Sequence, residues 1–387
     1  MDIVLSNKMN AFQTSIFNEL NIYKNKKMQE GHQMIDLSIG SPDLPPPSFV
    51  LGELASKVKD PNLYRYSLTG TPEFLEAVAS YYYRQYEVGI QAEKEALMVM
   101  GSQDGLVHLP SVITNPGDII LVPNPGYTAY AAGISLAEAV PFSMPVHKEH
   151  QFLPDFESIP EEICHKAKMM IINFPGNPVP VMATEEFFEQ VVAFAKKYNI
   201  IVLHDFAYSE LYYDRKPISF LSVPGAREVG IEFNSLSKSF NMAGCRIGYV
   251  VGNEQIIEGL NRLKSNLDFG VFLPIQYAAI RALENTNNFS DDLRKIYKQR
   301  RDILVDGLHS LGWNVDRPSA SMFIWAKTPK RYRSTEFSYK LMDEAGVVTI
   351  PGVAFGSEGE GYTRISLVQQ EDVLSLAVAR IKDSGLF

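Results

Sequence analysis

Apolar residues along the chain fall into two kinds of pattern. Short unbroken runs stand at 96–99 (ALMV), 118–122 (DIILV), 169–173 (MMIIN), 200–204 (IIVLH) and 231–234 (IEFN). A half-exposed strand alternates, so runs without alternation predict strands covered on both faces. Between them the apolar spacing lengthens to three and four. Phe187, Phe188, Val191 and Phe194 follow Thr184, predicting a helix capped by that hydroxyl, and Leu75, Val78, Ala79 and Tyr82 follow Thr71-Pro72, predicting a second. Strands alternating with helices predict an α/β fold, a mostly parallel sheet sandwiched by helices.

After RIGYVV at 246–251, an amphipathic stretch at 254–268 places Ile256, Ile257, Leu260, Leu263 and Leu267 on one face. Past about residue 285 the pattern changes: a charged helical segment (SDDLRKIYKQRRDILVDGLHSLG) leads into the runs MFIWA at 322–326 and TRISL at 363–367. The expected organisation is a large domain over 46–284 and a smaller α+β domain over 285–387, with residues 1–45 an N-terminal arm that joins the small domain. The Pro-rich piece at 42–47 is at most a local linker, and no internal repeat is present.

Composition narrows the function. A length of 387 residues with 45% hydrophobic and 21% charged residues is that of a globular protein with a large core. The net charge of -9 argues against a nucleic-acid partner. Cys164 and Cys245 are the only cysteines, too few for a disulfide framework or a cysteine-based metal site, and they fit a reducing cytoplasm. The N-terminal residues lack a signal-peptide pattern, and no apolar run reaches the roughly 20 residues of a membrane helix.

Polar residues follow the predicted strands, where an open parallel sheet binds ligands. Gly101-Ser102-Gln103-Asp104-Gly105 leads from a strand into a helical run, a turn whose free N–H groups suit a phosphate, although such turns also serve only as connections. Ser235-Leu236-Ser237-Lys238-Ser239 follows the strand IEFN. Taken alone it reads as a surface loop; a lysine in a desolvated site is instead a nucleophilic amine. Arg246, eight residues beyond Lys238, offers a fork of donors suited to a phosphate together with the Ser235 hydroxyl. Asp205 and Tyr208 lie past the strand IIVLH; the aspartate either caps a turn or stays ionised opposite a pyridinium nitrogen. Asn177 in NFPGNPVP is a donor or a turn former, and Tyr127 in PNPGYTAY a stacking face or a core aromatic. Arg364, inside the apolar strand pattern of GYTRISL, calls for an anion, either a substrate carboxylate or an internal partner. Tyr64, Tyr66, Tyr127 and Phe206 are the aromatic residues expected near the site.

The order of these elements resembles the fold-type I, class I/II aminotransferases that use pyridoxal phosphate. The resemblance runs from LSIGSPD at 37–43 to GYTRISL at 361–367. It implies that Lys238 is the Schiff-base lysine and the base that moves the substrate's α-proton. By the same resemblance Asp205 pairs with the ring nitrogen, Asn177 and Tyr208 bind the ring hydroxyl, and Tyr127 stacks on the ring. Ser102, Gln103, Ser235 and Arg246 would hold the phosphate, with Tyr66 reaching the phosphate of a neighbouring subunit in a homodimer with shared sites. Arg364 would bind the substrate α-carboxylate, with the Gly40 backbone closing over it.

Within that family GTPEFLEAVASYY, GSQDGLVHL, NPGDIILVPNPGY, LHDFAYSEL and SLSKSFNMAGCRIGY look like the LL-diaminopimelate aminotransferase branch. Three positions depart from the usual pattern: Asn177-Pro178-Val179-Pro180 replaces Asn-Pro-Thr-Gly, Gln103 a basic residue, and Cys245 a tryptophan. The implied reaction is ping-pong transfer of an amino group between an L-amino acid and a 2-oxo acid. LL-diaminopimelate and aspartate or aromatic amino acids are the candidate donors. The alternative on the same scaffold is a C–S β-lyase. A ligand-sensing regulator would need a DNA-binding module, for which the residues before Gly40 are too few and too little basic.

Overall fold

A computed structural model describes residue 1, residues 3–12 and residues 16–387. Its strands are β1 (Ile35–Asp36), β2 (Ala96–Val99), β3 (Ile119–Asn124), β4 (Val140–Pro145), β5 (Ala167–Asn173), β6 (Ile201–Asp205), β7 (Gly230–Ser235), β8 (Gly248–Gly252), β9 (Phe323–Lys327), β10 (Val347–Val348), β11 (Ile350–Pro351) and β12 (Tyr362–Ser366). Seven form the central sheet in the order β2-β8-β7-β6-β5-β3-β4. Only β8 runs against its neighbours; the pairs from β7 through β4 are parallel. All five predicted runs lie in this sheet, their ends matching or shifted by at most two residues.

The lack of alternation has a direct cause. Met170 and Ile172 pack into a core on one face with Phe187, Phe188 and Val191, while Met169 and Ile171 pack on the other with Leu106, Leu203 and Phe233. Each such side chain, fully buried, contributes about 1.5–3 kcal/mol, and with helices on both faces neither set of positions is left for polar residues. Thr184 Oγ1 accepts from Phe187 N–H and Thr71 Oγ1 from Phe74 N–H, each at 3.2 Å, so both predicted caps form. The mostly exposed edge strand β4, with the sequence VPFSMP, escaped prediction because Pro141 and Pro145 read as breakers, and an edge is where a sheet tolerates them.

A second core joins Ile35 and Leu37 to Leu304, Phe323, Phe337 and Ile365. It is built on the antiparallel sheet β11-β12-β9, the β1–β10 pair and the helix Phe289–Ser310. One expectation fails at 254–268. The helix ends at Lys264, and Leu267 is exposed. The inner face of its last turn is filled by buried Lys264, which binds Asp104 and Asp268, so an ion cluster stands where a leucine was expected. Among the described residues no helix is long and apolar enough to cross a membrane.

Candidate active site

The parallel register brings three strand ends side by side: Asn173 of β5 is level with Asp205 of β6, and Asp205 with Phe233 of β7. The chain segments that leave these ends carry Asn177, Tyr208, Ser235 and Lys238. They open into a cavity of about 730 Å³ between the two cores. Ser102, Gln103, Tyr127 and Arg246 line it from the large sheet's side, and Gly40 and Arg364 from the other. Of the predicted site residues only Tyr66 lies outside it, 80% exposed and packed on Phe269. Tyr64 is exposed against Phe272, and Phe206 is buried behind the sheet on His204; neither lines the cavity, which corrects the expectation for both.

Lys238 Nζ donates to the Gly40 carbonyl and lies 5.9 Å from the centre of the Tyr208 ring. Burial, then the charges of Arg364 and Arg246, lower its pKa from 10.5 to about 8. The lysine therefore gives up its proton within reach of neutral pH, as a nucleophile or proton carrier must. Asp205 is buried and accepts from Tyr130 Oη at 2.8 Å and Ala207 N–H at 3.2 Å. Burial raises its pKa, so it needs a cationic or N–H partner in the cavity to stay ionised. The Tyr208 hydroxyl has no hydrogen-bond partner among the described residues, and burial raises its pKa.

Arg364 is 3% exposed. One end of its guanidinium donates to Asn177 Oδ1 at 2.8 Å, the other to the Ser38 carbonyl at 2.7 Å, and the group lies 4.2 Å over the Phe323 ring. Among the described residues no carboxylate pairs with it, and its Nε is buried without a partner. Desolvation lowers its pKa to about 10. An arginine held this way lacks an anion, which answers the question left by the sequence against an internal ion pair.

A second cationic end faces the helix Ser102–Ile113. No side chain caps it, and the Ser102 and Gln103 N–H groups make no hydrogen bond among the described residues. Gly101 at φ +77° turns the chain so closely that a Cβ there would stand 2.6 Å from the Arg246 guanidinium. Two free N–H groups, Arg246 and the hydroxyls of Ser102, Ser235 and Ser237 thus converge, and the Ser237 hydroxyl is buried without a partner. The arrangement suits a dianion.

Residues 32–381 match the family model described as aminotransferase class I and II. The chain is 43% identical over 373 residues to an LL-diaminopimelate aminotransferase of Halothermothrix orenii, covering 96% of each. A relative of the same name in Desulforudis audaxviator is 44% identical over 358 residues, 92% of this chain and 91% of the other. The chain belongs to the class I and II aminotransferases. Among solved structures, the substrate-bound BacF of Bacillus subtilis superposes with a TM-score of 0.95 at 38% identity, covering 98% of each chain.

In this aminotransferase several site residues had no signal in the sequence. Tyr130 stands three residues after Tyr127, a helical spacing that puts its hydroxyl on Asp205. Asn173 accepts from Asn177 N–H at 2.8 Å and donates to the Asp205 carbonyl at 2.7 Å, joining two strand ends. The helix Ile16–Gln29, unpredicted within the N-terminal arm, lines the cavity with Phe17, Leu20, Asn21 and Lys24. Two of the departures also find their places. Val179 packs with Trp325 and Phe355, and exposed Gln103 accepts from Tyr127 Oη at 3.1 Å.

Proposed function

We propose that this aminotransferase works with pyridoxal phosphate and moves an amino group from LL-diaminopimelate, or a related amino acid, to a 2-oxo acid. The observation that carries the reading is the convergence in one cavity of an amine of lowered pKa, an unpaired buried arginine, a buried carboxylate and an uncapped anion cradle. The donor set fits the cofactor. The partnerless Ser237 hydroxyl and the free N–H groups beside Arg246 suit its phosphate, Asp205 its ring nitrogen, Asn177 and Tyr208 its ring hydroxyl, and Tyr127 a ring face. When bound, pyridoxal phosphate supplies an aldehyde that takes up the amino group and a ring that draws electrons from the substrate's α-carbon.

The residues of this chain do the rest. Arg364 fixes the substrate α-carboxylate with two parallel hydrogen bonds, which orients the Cα–H bond. Lys238, as a neutral amine, would take the proton from the substrate Cα and hold it for return. Asp205, kept ionised by a protonated ring nitrogen when the cofactor is bound, would be a fixed charge in a site of low dielectric. Phe17, Leu20, Ile350 and Phe355 line the cavity around Arg364 and limit water. Tyr66, turned outward on its own chain, is proposed to reach the phosphate of a partner subunit.

The lyase alternative is disfavoured by the aminotransferase relatives, and the two differ in products. Loaded enzyme given amino acid without a 2-oxo acid should release one equivalent of a 2-oxo acid per site and then stop. Continuous release of ammonia and pyruvate would contradict the reading. In a donor panel with 2-oxoglutarate, LL-diaminopimelate should lead; equal rates with aspartate and aromatic donors would count against that substrate.

A further inference from the structure

Behind Asp205 lies a buried network that the reaction above does not use. Neighbouring residues of a strand point to opposite faces, so while Asp205 faces the cavity, His204 faces the other layer and is wholly buried. Its Nδ1 is 2.7 Å from Glu232 Oε2, directly across from it on β7, and its Nε2 is 3.0 Å from the Phe174 carbonyl oxygen. A carbonyl only accepts, so Nε2 carries a proton.

The proton between Nδ1 and Glu232 is placed by the other contacts of the carboxylate. Oε1 accepts from Tyr82 Oη at 2.7 Å and Ser219 Oγ at 2.8 Å, and Oε2 from Phe220 N–H at 2.8 Å. Both hydroxyls already accept elsewhere, Tyr82 from Asn234 Nδ2 and Ser219 from Leu221 N–H, so their own protons go to Glu232. Three donors beside the imidazole stabilise the ionised carboxylate and leave the remaining proton on the ring.

We infer that His204 is a buried imidazolium, fixed by Glu232, that positions the Asn177 loop through Phe174 and sets a positive charge behind Asp205. The pair is a clamp on three strand ends. His204 belongs to β6, Glu232 to β7 before Ser235 and Lys238, and Phe174 begins the turn to Asn177, which holds Arg364. The ring packs against Phe188, Phe206 and Phe220, Glu232 is the charged group bonded to it, and Asp205 stands on the opposite face of the strand. His204 is one of the charges that oppose the upward shift of Asp205. That last link rests on the proposed pairing of Asp205 with the cofactor's ring nitrogen; the protonation of His204 does not.

The protein labelled with nitrogen-15 in its seven histidines, free of cofactor, tests it by long-range proton–nitrogen spectra, with His204→Gln to assign the signal. Both ring nitrogens of His204 should be protonated; one bare nitrogen overturns the inference. Glu232→Gln, which offers an amide N–H to Nδ1, should leave the ring with a single proton and weaken pyridoxal phosphate binding severalfold, because the charge that favours ionised Asp205 is lost. A ring still doubly protonated refutes the role of Glu232, and unchanged affinity refutes the link to Asp205. If Glu232→Gln does not fold, the unsubstituted spectrum still decides the central claim, and it does so whether or not the cofactor reading holds.

Discussion

Arg364 and Lys238 bring positive charge into a site walled partly by aromatic rings, and the two respond differently to burial. The guanidinium stays protonated at neutral pH even when its pKa is lowered to about 10. It has no anion of its own. Arg364→Met should therefore lower kcat/KM for the amino donor by at least about thirtyfold, the 2–5 kcal/mol of a lost buried charge contact, in steady-state assays. Lys238 yields its proton instead. Its folded value, about 8, lies below the 10.5 of a free lysine, so the unfolded chain binds the proton more tightly. Stability is gained as pH rises from 8 to 10.5 and lost as it falls through 8. Cofactor-free Lys238→Met should be the more stable protein at pH 7, by up to about 3 kcal/mol. The gap should close above about pH 10.5, as read by denaturant titration across that range. A constant gap would mean that the lysine is not desolvated.

The helix Ser102–Ile113 shows how an element is held for its task. Its first turn carries Asp104, which binds Lys264, accepts from the Met100 N–H at 2.9 Å and lies 2.8 Å from His108 Nδ1. Burial works against that carboxylate, but the His108 and Lys264 contacts outweigh it and bring its pKa to about 2. The stability this gives is present above pH 4 and is lost as pH falls through 2. Lys264→Met leaves Asp104 and Asp268 without their shared cation and should cost about 3–5 kcal/mol, measured as a lowered denaturation midpoint. Gly101→Ala forces a Cβ against Arg246 at φ +77°. It should weaken pyridoxal phosphate binding about tenfold or more while destabilising the fold by only about 1–2 kcal/mol, seen by fluorescence titration. The turn itself was legible as small residues between a strand and a helix. The support was not, because Lys264 in an amphipathic pattern reads as a solvated position, and Leu267 took the inner place on paper.

At the scale of the molecule the strands were legible wherever both faces are buried, since runs such as MMIIN leave no polar position. Strand order, the reversed β8 and the proline-bearing edge β4 were not: they depend on which distant segments meet, and periodicity carries no record of that. The same limit applies to the site. Gly40, Lys238 and Arg364 come from the beginning, middle and end of the chain, and only the family resemblance had joined them beforehand. Tyr130 and Asn173 stayed hidden as one more tyrosine and one more asparagine. Tyr64, Tyr66, Leu68 and Phe269 remain exposed on the single chain, an apolar set suited to the proposed homodimer. Sedimentation should give twice the chain mass, and Tyr66→Phe should keep the dimer while weakening phosphate binding severalfold. The central claim is that Lys238 joins the cofactor covalently. Absorption of the purified protein loaded with pyridoxal phosphate, beside Lys238→Ala treated alike, tests it most directly: the visible band of the lysine-bound cofactor should appear in the first and be missing in the folded variant, and a variant that kept the band would contradict the account.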